Sequence, residues 1–326
     1  MNKFAKITGT GAYLPERVLD NAYMESIVET NDEWIMQRTG IKERHVCDEN
    51  TYTTDMATEA AKKALADAEV SAEELDLIIV ATVTPDYFTP SCACVVQKNL
   101  GAVNSAAFDI NAACSGFVTG LTIAKQFVEN GTYDKVLVIG ADALSKATDY
   151  KDRGTCILFG DAAGAVVVES SEEKGIIATD IGAKGKDGDK LTSLAYRNDA
   201  QELEKRVSGE KSTIWMAGAE VMKFAVKAME SAASAVLEKA GLSYDDIDVI
   251  VPHQANKRII DGAAKRMGVP TEKIFSNLER CGNTSSASIP VALAEAIAEG
   301  RVKQGDKVII VGFGGGLTWG AALLQF

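Results

Sequence analysis

Histidine is scarce in this sequence, positive charge is in deficit, and no apolar run is long. Only His45 and His253 carry imidazoles, and the one close cysteine pair, Cys92 and Cys94, has no second Cys/His pair beside it. A structural zinc site is therefore not expected. The remaining cysteines (Cys47, Cys114, Cys156, Cys281) are scattered along the chain, which argues against a disulfide framework. Lysine and arginine number 34 against 46 acidic residues, a net charge of −12. That excess speaks against nucleic-acid or membrane-surface binding and leaves room only for a local basic patch. No apolar stretch approaches the ~18 residues of a membrane span. The start, Met1-Asn2-Lys3-Phe4, runs into a polar-interrupted strand rather than a signal sequence, so a cytoplasmic protein is expected.

What is present is an ordinary globular composition, 46% hydrophobic and 25% charged, in 326 residues. That length favours two domain-sized units. Lys6 to Ala12 reads as a strand, and a helix capped by Thr30 or Asn31 closes near Thr39-Gly40. Met56 to Ala68 is an alanine-rich amphipathic helix, and Ser71 to Glu74 a capping box. Leu77 to Val83 is a β-branched run of the kind buried on both faces. At a fixed shift of 172 residues, Ala60 through Ile79 overlies the stretch from Ala232 through Val251, and Asp134 to Gly140 overlies Asp306 to Gly312. The chain thus reads as a duplicated α/β unit, with halves 1–172 and 173–326. The polar stretch from Ala183 to Ser212 has no partner in the first half and reads as an insertion.

Three loops carry the candidate chemistry. Asn111-Ala112-Ala113-Cys114-Ser115-Gly116 joins a short apolar strand to a helix, so Cys114 meets the free N–H groups and positive end of a helix dipole. There it is either an activated nucleophile or a small buried filler. His253 follows the buried strand Val249 to Pro252 directly, in the half opposite the cysteine. His45, among Glu43, Arg44 and Asp48, reads as a solvated surface residue. Asn283, in Cys281-Gly282-Asn283-Thr284-Ser285, occupies the second half's counterpart of the cysteine loop, where an amide can donate to a substrate oxygen or merely cap a helix. Gly312-Phe313-Gly314-Gly315-Gly316 lacks dinucleotide-fingerprint spacing, but its glycines allow backbone N–H groups close to a ligand.

Together with Asp32-Glu33-Trp34, Arg38-Thr39-Gly40-Ile41, Arg153-Gly154-Thr155 and Phe159-Gly160-Asp161, these motifs resemble, nearly end to end, the β-ketoacyl-[acyl-carrier-protein] synthase III family of condensing enzymes. The resemblance implies a thiolase-like α/β fold, with duplicated βαβαβαββ halves in α/β/α/β/α layers, and a homodimer. It implies that Cys114 accepts an acyl group from acyl-CoA and that His253 and Asn283 hold the thioester oxygen of malonyl-[acyl-carrier-protein]. By the same resemblance, the N–H groups of Cys114 and Gly315 would form the oxyanion hole. Thr30, Trp34, Arg38, Arg153, Gly218 and Asn256 would contact CoA, expected as a substrate rather than a resident cofactor. Lys223, Gln254, Arg258, Lys265 and Arg266 would dock the carrier protein. Thr89 stands where some members carry a phenylalanine that reaches into the partner subunit, and Met222 where some relatives have an aromatic.

A papain-like cysteine protease shares the Cys, His, Asn order and a Cys-to-His gap of 139 residues, but Cys114 lacks that family's flanking residues. A degradative thiolase needs a second cysteine in the C-terminal glycine loop, where this chain has none. A polyketide starter synthase of the same fold is the nearer alternative.

Overall fold

The computed structural model describes residues 3–326. In chain order, the first sheet and its helices are β1 (Phe4–Tyr13), α1 (Asp32–Thr39), α2 (Thr53–Asp67), β2 (Leu77–Ala81), α3 (Cys92–Leu100), β3 (Ala106–Ile110), α4 (Gly116–Glu129), β4 (Lys135–Ala143) and β5 (Asp161–Ser171). The second group is β6 (Ile176–Ala183), α5 (Gly218–Ala240), β7 (Val249–Pro252), α6 (Lys257–Met267), α7 (Ser288–Ala298), β8 (Lys307–Gly314) and β9 (Thr318–Gln325). The sheet orders are β1-β5-β4-β2-β3 and β7-β8-β9-β6. Ile274 makes an isolated parallel bridge to Ile250, which puts a residual fifth strand beside β7 where β3 lies beside β2.

Alternation along the strands sorts side chains into layers. Leu77 and Ile79 of β2, Val136 and Val138 of β4, Val249 and Val251 of β7, and Val308 and Ile310 of β8 point to a shared centre. There they enclose Phe117 and Leu121 of α4 and Ile289 and Leu293 of α7, all fully buried. Ile78, Val80, Leu137 and Ile139 face outward under α2 and α3. Ile250, Ile309 and Val311 do the same under α5 and α6. Because β2 is covered on both faces, all five of its residues are buried, as its unbroken apolar run requires. The result is the α/β/α/β/α layering of the thiolase-like fold.

Local signals act where they stand. Asn31 caps α1 by accepting the Trp34 N–H at 2.8 Å, and Gly40 ends it in the left-handed conformation. Among the described residues no helix is long and apolar enough to cross a membrane. His45 departs from the surface reading. It lies half-buried on the short strand Glu43–His45, with Nδ1 2.6 Å from the Pro15 carbonyl oxygen, while the neighbouring Arg44 is wholly buried. The 183–212 stretch forms a 3-10 turn (Gly185–Lys190), a short strand (Leu191–Thr192) paired with Trp215–Met216 just beyond it, and a helix (Ala200–Glu204), tied together by the buried Arg206, which donates to the Thr192, Glu202 and Thr213 carbonyls.

Candidate active site

The ends of β2, β4, β7 and β8 and the starts of α4 and α7 meet at one place. Cys114 lies in the 3-10 turn Ala113–Ser115 that opens α4. The turn is bound to the start of β9: Thr318 Oγ1 is 2.9 Å from the Ala112 carbonyl and 2.9 Å from Ser115 Oγ. β8 runs directly beneath. A Cβ on Gly314 would lie 2.5 Å from the Cys114 backbone nitrogen, so only glycine lets this strand approach the cysteine amide. Gly315 follows, its Cβ position 3.6 Å from Ala113 Cβ. A Cβ on Gly312 would lie 3.2 Å from His253 Cβ and 3.6 Å from the Cys114 carbonyl oxygen, which brings the histidine and cysteine loops within one small residue of each other.

His253 is 1% exposed, its backbone N–H bonded to Val311 O at 2.7 Å. Nδ1 lies 2.5 Å from Ser288 Oγ, the Phe313 ring packs edge-on at 5.3 Å, and Nε2 has no partner. Burial lowers its pKa from 6.5 to about 3, so the ring is neutral at physiological pH. Asn283 Oδ1 accepts the Ser285 N–H at 3.0 Å. That bond orients the side-chain amide, whose Nδ2 makes no hydrogen bond to the protein among the described residues.

The thiol runs against the helix-dipole expectation. Cys114 is half-buried, and desolvation pushes its thiol up to about 12; the Ser285 hydroxyl partly offsets this and the nearby Asp142 carboxylate adds to it. The resting group is a thiol, because desolvation of the anion outweighs the pull of a helix end worth about 1 kcal/mol.

The other predicted residues divide into two groups. On one side, the guanidinium groups of Arg153 and Arg38 stand 4.9 and 5.2 Å from the Trp34 ring centroid. Asn256 caps α6 and donates from Nδ2 to the Arg38 carbonyl at 3.0 Å, tying α6 to α1. Thr30 Oγ1 is buried without a partner, and Gly218 is exposed at the start of α5. On the outer face, Lys223, Arg258 and Arg266 line a groove of about 360 Å³ with Met222, Val226 and Lys227. Lys227 went unnoticed in the sequence, although it stands one turn beyond Lys223 on α5. Lys265 is exposed but does not line the groove.

Gln254 is a correction. It is wholly buried, donates to the Pro252 and Phe275 carbonyls at 2.6 and 3.4 Å, and accepts from Ser276 Oγ at 2.6 Å. Its role is to satisfy backbone carbonyls at a strand end, and it offers nothing to a docking partner. Met222 likewise faces the outer groove. Thr89 is exposed, and the bulky side chain there belongs to the preceding Phe88, 72% exposed and stacked on Tyr196 at 4.7 Å.

Comparison with known proteins decides the family. Models described as 3-oxoacyl-[acyl-carrier-protein] synthase III and its C-terminal region match residues 108–185 and 237–326. The β-ketoacyl-[acyl-carrier-protein] synthase III of Caldanaerobacter subterraneus subsp. tengcongensis is 52% identical over 99% of this chain and 98% of its own length. The chain belongs to the β-ketoacyl-[acyl-carrier-protein] synthase III family. The enzyme of that name from Clostridioides difficile is also 52% identical, over 100% of this chain and 99% of its own. The crystal structure of 3-oxoacyl-[acyl-carrier-protein] synthase III from Aquifex aeolicus superposes with a TM-score of 0.92 at 51% identity, covering 99% of this chain and 100% of the other. Membership in this synthase III family makes the chain an acyltransferase of the condensing type.

Proposed function

We propose that this chain starts fatty-acid synthesis by condensing an acyl-CoA primer with malonyl-[acyl-carrier-protein], using Cys114, His253 and Asn283. The observation that carries this reading is the meeting of a thiol with two unpartnered donor positions, His253 Nε2 and Asn283 Nδ2, at the strand ends. In the first step Cys114 Sγ bonds to the acyl carbon, the carbon–sulfur bond to CoA breaks, and the thiol proton leaves with CoA as its free thiol. Passing through a thioester divides one hard condensation into two easier steps. In the second, loss of carbon dioxide from the malonyl unit leaves an enolate whose oxygen accepts from His253 and Asn283. Its carbon attacks the acyl-enzyme, the new oxyanion is held by the N–H groups of Cys114 and Gly315, and the Cys114 thiolate departs and takes up a proton from solvent. The reaction so written needs no cofactor; acyl-CoA is a substrate.

The CoA end lies against Trp34, Arg38 and Arg153, with Thr30, Gly218 and Asn256 along the way. The indole face and the planar Arg153 cation suit a purine; the guanidinium, 4.9 Å from the ring centroid, swings outward to admit it. The acidic carrier protein docks at Lys223, Arg258 and Arg266, with Lys227 in the same groove and Lys265 beyond it. Arg258→Glu raises KM for malonyl-carrier protein and leaves acyl loading unchanged; equal effects on both steps refute this docking face. Halves 1–172 and 173–326 each supply one set of loops. The chain works in the cytoplasm as a homodimer, a reading supported by β3, which pairs on one side only, and by exposed Tyr87 and Phe88 nearby.

Mass spectrometry after incubation with acetyl-CoA tests the assignment. Wild type gains one acyl group and Cys114→Ala gains none. His253→Ala acylates but loses condensation by about 10²–10³-fold, the usual cost of removing one oxyanion donor. Acyl loading of Cys114→Ala overturns the mechanism.

A further inference from the structure

His253 has two ring nitrogens, and only one neutral tautomer presents a donor at Nε2. The free side chain leans only modestly to that form, so firm selection must come from what faces Nδ1. The group facing it is the hydroxyl of Ser288, the first residue of α7, at 2.5 Å. The same Oγ lies 3.4 Å from the Gln254 backbone nitrogen, which can only donate to it. The hydroxyl has one proton of its own and no further acceptor within hydrogen-bond distance among the described residues. If Nδ1 were protonated, two donors would point at Oγ and the hydroxyl proton would be buried without an acceptor, because Ser288 is 2% exposed. With the proton on Nε2, every group on the Nδ1 side is satisfied: Gln254 N–H donates to Oγ, and the hydroxyl donates to Nδ1.

We propose that Ser288 is a positioning residue that holds His253 as the Nε2–H tautomer and so aims a hydrogen-bond donor at the substrate oxygen. This rests on the reading of His253 given above. The buried, unpartnered Nε2 is then a donor awaiting an acceptor. The rest of the molecule supplies a built-in contrast. His45 Nδ1 lies 2.6 Å from the Pro15 carbonyl, which can only accept, so that ring is protonated at Nδ1.

Nitrogen-15 spectra of the full chain labelled at histidine, at mildly alkaline pH, test this directly, because the chain has only two imidazoles. The expected result is a pyrrole-type Nε2 with a pyridine-type Nδ1 for His253 and a pyrrole-type Nδ1 for His45, assigned by loss of signals in His45→Gln. In Ser288→Ala the His253 signals move toward the other tautomer, and Ser288→Thr, which keeps the hydroxyl, restores them. Condensation falls about 10-fold in Ser288→Ala, the worth of one hydrogen bond, while acyl loading stays within about twofold. A pyridine-type Nε2 in wild type overturns the proposal, as does an unchanged tautomer in Ser288→Ala. The tautomer is read in the resting protein and does not depend on what His253 does in the reaction. Failure of the catalytic reading shows separately, as undiminished condensation by His253→Ala.

Discussion

The cysteine loop and the loop from Asn283 to Ser288 are two copies of one backbone design. At the shift of 172 residues Asn111 overlies Asn283, Ala113 overlies Ser285, and Cys114 overlies Ser286. Both asparagines accept the N–H two residues on, at 3.2 and 3.0 Å. Ala113 and Ser285 both take positive φ, 48° and 52°, a conformation few non-glycine residues adopt. Each loop opens a central helix and crosses to the other sheet, where a glycine permits the approach: Gly140 under Ser286, Gly312 and Gly314 under Cys114.

What differs is the filling. Ser286 is wholly buried, and its N–H and hydroxyl both donate to Asp142 Oδ2, at 3.0 and 2.7 Å. Asp142 Oδ1 accepts from Thr82 Oγ1, Val83 N–H and Thr84 Oγ1. At the positions overlying Asp142 and Ala81, the second half has Gly314 and His253. One copy is a closed polar plug. The other has lost the carboxylate that would cover the cysteine amide and has gained an imidazole. The site therefore arises from one frame by emptying one position and filling another. The Cys114 N–H faces Gly314 where the Ser286 N–H meets Asp142.

The sharpest way to break this comparison is to refill the emptied position. Gly314→Ala sets a methyl 2.5 Å from the Cys114 nitrogen, and neither backbone segment can yield cheaply. Acylation, read by mass spectrometry over time, should fall about 10²–10³-fold, as for a lost oxyanion donor. Near-normal acylation would show that the Cys114 amide does not serve.

Opening the plugged copy comes next. In Asp142→Asn an amide NH₂ replaces an acceptor, so one or more of five donors, three of them buried, loses its partner. A loss of about 3 kcal/mol is expected in denaturant titration, with the acyl-transfer chemistry retained in the folded fraction. A change below about 0.5 kcal/mol, the range of ordinary surface substitutions, sinks the idea of a structural plug.

The mildest test uses pH. Folding lowers the His253 pKa from 6.5 to about 3, so between those values the unfolded chain binds a proton that the folded one refuses. Stability from this residue is complete above pH 6.5 and is lost as pH falls, about 2 kcal/mol by pH 5. Wild type should therefore lose more stability than His253→Ala over that interval. Equal losses would mean that His253 is not held neutral by burial.

Sequence alone determined the strand and helix frame, the duplication and the three loops. Unbroken apolar runs, capping residues and a fixed 172-residue offset are signals that can be read without the fold. It also located Cys114, His253 and Asn283, because each stands at the end of such an element. Only the tertiary structure decided what surrounds them. Ser288 reaches His253 across 35 positions, and Asp142 reaches Ser286 across 144. The raised thiol, the buried Gln254 and the place of Lys227 in the basic groove are likewise set by burial and through-space neighbours. The cysteine shows the difference most plainly. Its place at a helix start is written in the chain, whereas its protonation state depends on how much water the folded walls exclude.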